Sequence, residues 1–270
     1  MPASRRTITR LLLGLYLAAV LVPLVTVLIW SVTEKWPWPD LLPSALSLRG
    51  LAELFNGHAP VGGVLLVSIG IAVAVSVLSV AIAGLSARAL VFHDFRGKEL
   101  FRFTTILPFI IPATVFAMGI QVAFLRIGLG RTILGVIIAH TVVALPYATS
   151  IMTDVMAAAG PRFEEQSRVL GASRRQTLLQ VTVPSLLPGI LSAASMSYVV
   201  SLSQYFLTLL VGGGAVKTLT VVMFPFLSSG DRTIASAYAV LFLVSTISVF
   251  LLFEWILKRL GMRETRTLFT

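Results

Sequence analysis

Residues 64–87 read VLLVSIGIAVAVSVLSVAIAGLSA, a run of 24 residues without a charged side chain. A helix of about 20 apolar residues crosses the hydrocarbon core of a bilayer. The hydrocarbon offers the backbone no hydrogen-bond partner, and a barrel strand needs only about ten residues of alternating polarity. A run of this length therefore predicts a membrane-spanning helix.

Similar stretches recur along the chain. Hydrophobic residues form 57% of its 270 residues and charged residues 12%, a composition typical of polytopic membrane proteins. We predict six spans, at Leu11–Val32, Val64–Ala87, Phe103–Leu125, Thr132–Thr153, Ser185–Val211 and Ile234–Leu257. The expected fold is all-α, a polytopic bundle of six transmembrane helices in a lipid bilayer.

The first predicted span follows Arg5, Arg6 and Arg10, as the apolar part of a signal peptide would. Its 22 nearly uninterrupted apolar residues exceed the usual apolar region of a signal peptide. No small-residue cleavage site follows it. We therefore expect a retained membrane anchor.

Lys and Arg residues fall mostly on one side of the six predicted spans, with fifteen on that side and six on the other. Basic residues accumulate on the cytoplasmic side of membrane proteins. The distribution predicts that both termini and the polar segment between the fourth and fifth spans are cytoplasmic. The net charge of +10 is then a topology signal. We expect no nucleic-acid partner, because no soluble domain is predicted that could carry a basic face.

Several kinds of site are excluded by composition. The chain contains no cysteine, so it has no disulfide, thiolate metal site or cysteine nucleophile. Its three histidines, His58, His93 and His140, are too dispersed in sequence to suggest a metal cluster. It contains no GxxxxGK[ST] phosphate-binding loop. Any nucleotide chemistry is therefore expected on another chain, and no cofactor or metal is expected on this one.

The polar segment between the fourth and fifth spans reads FEEQSRVLGASRRQTLLQVTVPSLLPG, residues 163–189. Pro161 suits the first turn of a helix, and Gly171 is a typical left-handed terminator, so we predict a helix over residues 162–170. An amphipathic loop lying on the membrane surface would explain the same composition.

A second short helix is predicted after the glycine. Ser173 and Gln176 have the spacing of a capping box, which starts a helix that reaches about Gln180. Residues 181–183 are then expected to leave as extended chain before Pro184. The whole segment is predicted to be a helical hairpin.

The spacing of these residues resembles the EAA motif of permease subunits of binding-protein-dependent type I ABC importers. That motif reads EAA, three residues, G, nine residues, I, one residue, LP. Glu165, Gly171 and Pro184 match it in identity and register, while Val181 and Val183 replace Ile and Leu. Gln166 and Ser167 stand where the motif has two alanines.

The stretch SLSQYFLTLLVGGGAVKTLTVVMF, residues 201–224, looks like the corresponding part of the polyamine, thiamine and ferric-iron permeases. The resemblance implies one permease domain over residues 1–270. Its core would cover 61–258 with a cytoplasmic coupling hairpin at 160–184, and residues 1–60 would form an N-terminal helix and an extracytoplasmic segment.

The partners of such a permease follow from the same resemblance. Two cytoplasmic ABC ATPase subunits would bind ATP and Mg, and an extracytoplasmic solute-binding protein would deliver the solute. A second permease subunit, a related chain or a copy, would complete the pathway in the inner membrane. The chain itself would not be an enzyme.

In this family the motif forms a coupling helix that docks in a cleft of the ATPase. We expect that role for Phe163, Glu164, Glu165, Gln166, Leu170, Gly171, Ala172 and Pro184. Phe163, Gln166 and Leu170 share roughly one face of a helix, which would dock. Closure of the ATPases on ATP would then rotate the attached spans and switch the access of the cavity.

Polar side chains inside apolar spans mark candidates for the translocation path, because exposing them to lipid is costly. They are Gln121, His140, Gln204 and Tyr205. His140 could instead hydrogen-bond a neighbouring helix. Glu254 is explained by an ion pair with Lys258 four residues later.

Some shorter features have local interpretations. Pro108, Pro112 and Pro146 predict kinks in the third and fourth spans. Residues 211–218, VGGGAVKT, are expected to form an extracytoplasmic loop. Residues 47–55, SLRGLAELF, predict a short lateral helix that receives the solute-binding protein or packs on the membrane surface.

Two other functional classes fit less well. An ion-coupled secondary transporter would need buried ionisable residues and an inverted repeat, and an enzyme would need a catalytic constellation at membrane depth. Neither is visible in the sequence. The solute is left open among polyamines, thiamine, other small organic solutes and ferric iron, with the neutral Gln204 disfavouring a polyamine.

Overall fold

The computed structural model describes residues 3–34, 36, 40, 43–56 and 61–259. Its helices are α1 (Ala3–Ser31), α2 (Arg49–Asn56), α3 (Val61–Phe92), α4 (Lys98–Ile110), α5 (Ala113–Arg126), α6 (Ile133–Ala159), α7 (Arg162–Val169), α8 (Arg174–Thr177), α9 (Val183–Leu202), α10 (Phe206–Gly212), α11 (Leu219–Ser229) and α12 (Arg232–Arg259). A π-helical turn, Leu178–Thr182, joins α8 to α9. Within these ranges the extended pairing is a single bridge between Thr33 and Leu46. The predicted all-α class is confirmed.

Five helices in the described ranges are long and apolar enough to cross a membrane. They are Ile8–Ser31, Val61–Phe92, Ile133–Ala159, Arg174–Leu202 and Arg232–Ile256. They fall on the first, second, fourth, fifth and sixth predicted spans. The structure therefore supports a multi-pass membrane protein, with boundaries that differ from the predicted ones.

The third predicted span, Phe103–Leu125, is wrong as a continuous helix. α4 and α5 are bent by 106° at a short break. Ile111 adopts an extended conformation, with ψ 130°, which a following proline favours. Pro112 also lacks the N–H that a continuing helix would use. The expected kink is thus a full break, whereas α4 and α6 continue through Pro108 and Pro146.

The fifth predicted span, Ser185–Val211, is also interrupted. α9 ends at Leu202 and α10 begins at Phe206. Gln204 and Tyr205 therefore lie in a break between two helices, and the prediction that they sit in the middle of one span is wrong. The apolar helix α11, of 11 residues, has no counterpart among the predicted spans because it is shorter than a bilayer crossing.

The described residues form two compact units. One takes its residues from 1–64 and 222–244, and the other from 65–221 and 245–270.

In the first unit the predicted lateral helix is present as α2. Leu54 and Gly50 are buried, and a Cβ on Gly50 would lie 2.9 Å from the Thr233 carbonyl oxygen and 3.1 Å from that of Ser31. The glycine thus permits a close approach of backbones. Arg49 Nη2 and Asp231 Oδ1, 2.9 Å apart, form an ion pair at the same place.

In the second unit the helices pack through small side chains. Ala83 and Ala87 of α3, Ala148 of α6 and Ala193 of α9 are fully buried in one cluster. In a membrane the hydrophobic effect does not drive helices together, because lipid is as apolar as their side chains. Small residues then favour association by letting the helix backbones approach closely. Ser76 Oγ of α3 donates to the Ala194 carbonyl of α9 at 3.0 Å, so polar contacts supplement the packing.

Gly189 shows how close α6 and α9 lie. A Cβ at Gly189 would be 2.8 Å from both methyl carbons of Val155. The branched valine is held by its own helix and cannot move aside easily.

We expect Gly189→Ala to destabilise the protein by about 1–3 kcal/mol, since overpacking a close helix contact costs that much. Gly70→Ala is the matched control, because nothing lies within 4 Å of a Cβ at Gly70. Thermal denaturation followed by size-exclusion chromatography in detergent measures both. Equal midpoints for the two variants would contradict the packing described here.

Candidate functional site

The polar hairpin is built as its sequence predicts in its first half. α7 covers Arg162–Val169, and Gly171 follows with φ +85°. Only glycine enters this left-handed region without a steric penalty. The Gly171 N–H donates to the Arg168 carbonyl and the Ala172 N–H to the Ser167 carbonyl, both at 3.0 Å. The chain therefore turns tightly at this glycine.

The second half begins with the predicted capping box. Ser173 Oγ accepts a hydrogen bond from the Gln176 N–H at 3.3 Å, and Gln176 Oε1 accepts one from the Ser173 N–H at 2.9 Å. Two N–H groups that a helix start leaves free are thereby satisfied. The start of α8 is fixed by its own sequence.

The extended exit predicted for residues 181–183 is wrong. The chain continues from α8 through the π-helical turn directly into α9, and the Val183 N–H donates to the Leu178 carbonyl. A π-turn suits this position, because Pro184 offers no N–H and its ring would collide with a carbonyl of a regular helical turn. The hairpin and the following span are consequently one continuous helical stretch.

Side-chain contacts hold the two arms of the hairpin together. The Ser167 and Thr177 hydroxyls lie 2.9 Å apart. Glu164 receives two hydrogen bonds from Arg88, Nη1 to Oε1 and Nη2 to Oε2, both at 2.7 Å. Thr182 Oγ1 donates to Glu164 Oε1 at 2.8 Å. These contacts link the two arms of the hairpin to each other and link the hairpin to α3 and to the π-turn before α9.

The electrostatics of Glu164 follow from these contacts. Its side chain is 12% exposed and also lies 3.5 Å from Arg168 Nη2. The hydrogen bonds from Arg88 lower the pKa of the Glu164 carboxyl below its ordinary value, against the opposing effect of burial. The carboxylate is therefore ionised at neutral pH. Its contribution to stability persists above the ordinary pKa of glutamate and is lost as the pH falls through the lowered value.

The opposite side of α7 is open. Arg162, Glu165, Gln166, Val169 and Leu170 line a groove there. Val169 and Leu170 are each 87% exposed, and α7 has no buried residue. Large apolar side chains exposed on a polar hairpin indicate a surface that contacts another molecule.

The structure separates the residues predicted for coupling. Glu165, Gln166 and Leu170 lie on the groove, whereas Phe163 and Glu164 line a small cavity on the inner side, beside Met156. Phe163 therefore contacts the inner cavity while 58% of its side chain stays exposed. Of the remaining three, Gly171 forms the turn, Ala172 follows it and Pro184 stands in the first turn of α9.

His140 lies at the centre of a buried polar cluster. It is 1% exposed, and its Nδ1 and Nε2 lie 2.9 Å from Ser201 Oγ and Thr208 Oγ1 respectively. The Thr208 hydroxyl donates to the Gln204 carbonyl, so its oxygen is free to accept from Nε2–H. Nδ1 then accepts from Ser201, and both ring nitrogens of a neutral imidazole are satisfied.

This cluster spans the break between α9 and α10. His140 belongs to α6, Ser201 to the end of α9 and Thr208 to α10. Gln204 and Tyr205, partly exposed, lie in the break itself, while Gln121 lies partly exposed on α5. His140 therefore hydrogen-bonds neighbouring helices, as the second of its two predicted roles required.

Sequence reasoning did not select the residues that brace the hairpin. They are Arg88, Ser167, Thr177 and Thr182. Arg88 is noticeable in the sequence because it follows an uncharged apolar run. Its partner Glu164 lies 76 positions away, so the sequence does not indicate the pair. Over the described part of the chain, no three His, Asp or Glu side chains converge in a way that could hold a metal ion.

Residues 76–262 match the family described as binding-protein-dependent transport system inner membrane component. A putative 2-aminoethylphosphonate transport system permease of Salmonella typhimurium is 26% identical over 251 residues, covering 92% of this chain and 93% of that protein. A spermidine/putrescine transport system permease of Haemophilus influenzae is 25% identical over 192 residues, covering 71% of this chain and 75% of that one.

A solved structure shares the fold. The crystal structure of a bacterial ABC transporter involved in the import of the acidic polysaccharide alginate contains a chain that superposes with a TM-score of 0.69. The match covers 94% of this chain and 98% of that chain, at 16% sequence identity.

We expect His140→Ala to lower the stability of the protein by about 2–4 kcal/mol, because it leaves a cavity and removes a shared partner of two buried hydroxyls. Thr141→Val is the control, since the Thr141 hydroxyl bonds only the Ile137 carbonyl of its own helix in the contacts described. Thermal midpoints in detergent compare the two. A midpoint for His140→Ala equal to that of Thr141→Val would show that the cluster does not support the break.

Proposed function

Because this chain belongs to the family of binding-protein-dependent transport system inner membrane components, we propose that its polar hairpin is the site that couples it to a cytoplasmic ATPase. The protein is a multi-pass permease subunit of an ABC importer in the inner membrane. Two ATPase subunits, which bind ATP and Mg, would occupy its cytoplasmic side, and both termini of this chain would lie there.

The groove of α7 is the observation that supports this proposal. Val169 and Leu170 are almost fully exposed beside Glu165 and Gln166. Interfaces commonly combine an apolar centre with a polar rim that fixes orientation. The groove would therefore contact the ATPase through its two apolar side chains, with Glu165 directed at a donor or cation of that subunit.

Movement of the hairpin would reach the membrane through its continuous connection to a span. Arg174–Leu202 forms one helical stretch through the π-turn, polar at its start and apolar in the membrane. The capping box and the contact between Ser167 and Thr177 stiffen the hairpin. ATP-driven closure of the ATPases would thus displace α9 and alternate the access of the pathway.

The pathway is proposed to run past the break that His140 supports. Gln121, Gln204 and Tyr205 would present polar groups to the solute, with His140 holding the backbone of the break. One such subunit encloses part of a pathway, so a second permease, a related chain or a copy, would supply the rest. An extracytoplasmic solute-binding protein would deliver the solute.

The charge pattern favours a small anionic solute. Residues 112–153 and 202–221 carry Arg126, Arg131 and Lys217 but no Asp or Glu. The Arg131 N–H donates to the Val211 carbonyl at 2.7 Å, and its side chain lies against Gly213. Arg131 and Lys217 therefore belong to adjoining loops, which the proposed topology places on the outer side.

The carboxylates expected on the same side, Glu34, Asp40, Glu53 and Asp231, lie outside these two stretches of sequence. Asp231 among them is paired with Arg49. Positively charged loops attract anions and repel polyamines. The 2-aminoethylphosphonate permease named above fits this pattern, and the spermidine/putrescine permease is the reason to retain a polyamine as the second candidate.

The double substitution Val169→Ser/Leu170→Ser should abolish co-purification with the ATPase while leaving thermal stability unchanged, because both side chains are exposed. Leu48→Ser, an exposed change outside the hairpin, is the control and should leave co-purification intact. Retention of the ATPase by the double variant would refute this docking site.

The solute class can be measured in proteoliposomes that contain the complete importer with its solute-binding protein. We expect ATP-dependent uptake of an anionic probe, 2-aminoethylphosphonate or sulfate, and none of spermidine. Arg131→Gln with Lys217→Gln should lower the uptake several-fold, with Arg96→Gln, an exposed change outside the hairpin, as the control on the other side. Uptake of spermidine alone would overturn the anionic assignment and leave the docking site untouched.

A further inference from the structure

The coupling hairpin is attached to the membrane helices with very little apolar packing. α7 has no buried residue, and Phe163 is 58% exposed although it points toward the inner cavity. Its covalent link to α6 passes through Gly160, which has φ +65° and no atom within 4 Å of a Cβ position. On its other side α7 meets the turn at Gly171, after which α8 continues into α9. Neither packing nor these two glycine links alone ties α7 itself firmly to the membrane helices.

A polar joint fills that role in the structure. Among the charged residues of α7, Glu164 alone has a nearly enclosed side chain. It contacts residues of two different membrane-spanning segments. Arg88 comes from the end of α3, and Thr182 comes from the π-turn that leads into α9. A single carboxylate thus links the hairpin to α3 and α9 together.

The geometry of this joint is suited to carrying force. Two parallel N–H···O bonds of 2.7 Å between a guanidinium and a carboxylate fix an angle as well as a distance. The Arg88 guanidinium is itself held over the ring of Phe92, 5.8 Å from its centroid. A point charge such as lysine would hold the distance without the angle.

The adjacent residues Glu164 and Glu165 have different surroundings. Glu165 lines the open groove, whereas Glu164 is 12% exposed and has its partners within this chain. Helical neighbours lie about 100° apart around the axis, so the two carboxylates point in different directions. Their chemistry is the same and only their surroundings differ.

We infer that Glu164, Arg88 and Thr182 form the joint through which movement of the coupling hairpin is transmitted to α3 and α9, and that Glu164 is a positioning residue with no contact to the ATPase. This inference rests on the proposed function, because it assumes that α7 docks on an ATPase. It assigns the two glutamates separate tasks, with Glu165 for docking and Glu164 for transmission.

The test compares Glu164→Gln with Glu165→Gln in the complete importer in proteoliposomes. For Glu164→Gln we expect normal co-purification of the ATPase and a fall of roughly fivefold or more in solute transported per ATP hydrolysed. A variant that is only less stable would lower transport and hydrolysis alike. Glu165→Gln is expected to weaken the association itself.

A covalent replacement of the joint provides the second arm. The natural chain has no cysteine, so Arg88→Cys/Glu164→Cys introduces the only thiols in this subunit. We expect this variant to lose transport per ATP and to recover it after a short bismaleimide bridges the two thiols. Each single cysteine variant, treated in the same way, should not recover.

Two results would overturn the inference. One is wild-type transport per ATP in Glu164→Gln, and the other is a loss of ATPase association as large as that of Glu165→Gln. Failure of the proposed function would be seen differently, since the wild-type chain would then bring down no ATPase at all.

Discussion

A bilayer offers the polypeptide backbone no hydrogen-bond partner, and this constraint organises the whole chain. Long apolar segments must be helices, and every interruption of a helix must be compensated inside the protein. At residues 203–205 the compensation is the His140 cluster, which joins α6 to the helices on both sides of the break. At Ile111 the break follows from the proline after it. The interruptions are therefore local exceptions with identifiable causes.

The same constraint explains the contrast between the core and the hairpin. In the core, alanine and glycine let α3, α6 and α9 approach closely, and serine hydroxyls add short contacts. The hairpin has no buried side chain on α7 and depends on a capping box, a left-handed glycine and an ionised carboxylate. Directional polar contacts suit an element that we propose to move with an ATPase in water.

Charge has a different role in each part of the chain. The cytoplasmic excess of Lys and Arg sets the expected topology, and one of those cations, Arg88, also holds Glu164. The absence of carboxylates from residues 112–153 and 202–221 is the basis of the proposed anionic solute. We propose that the basic residues serve orientation, attachment of the hairpin and selection of the solute in different parts of the chain.

By itself, the sequence determined the features that depend on near neighbours. Hydropathy identified the long spans, and the spacing of Glu165, Gly171 and Pro184 identified the hairpin and the family. Gly171 and the capping box of Ser173 need only local residues, so they were predictable. The tertiary structure decided the rest. The pairs that Arg88 and His140 make, and with them the enclosure of Glu164, depend on residues far apart in sequence that meet only when the helices pack.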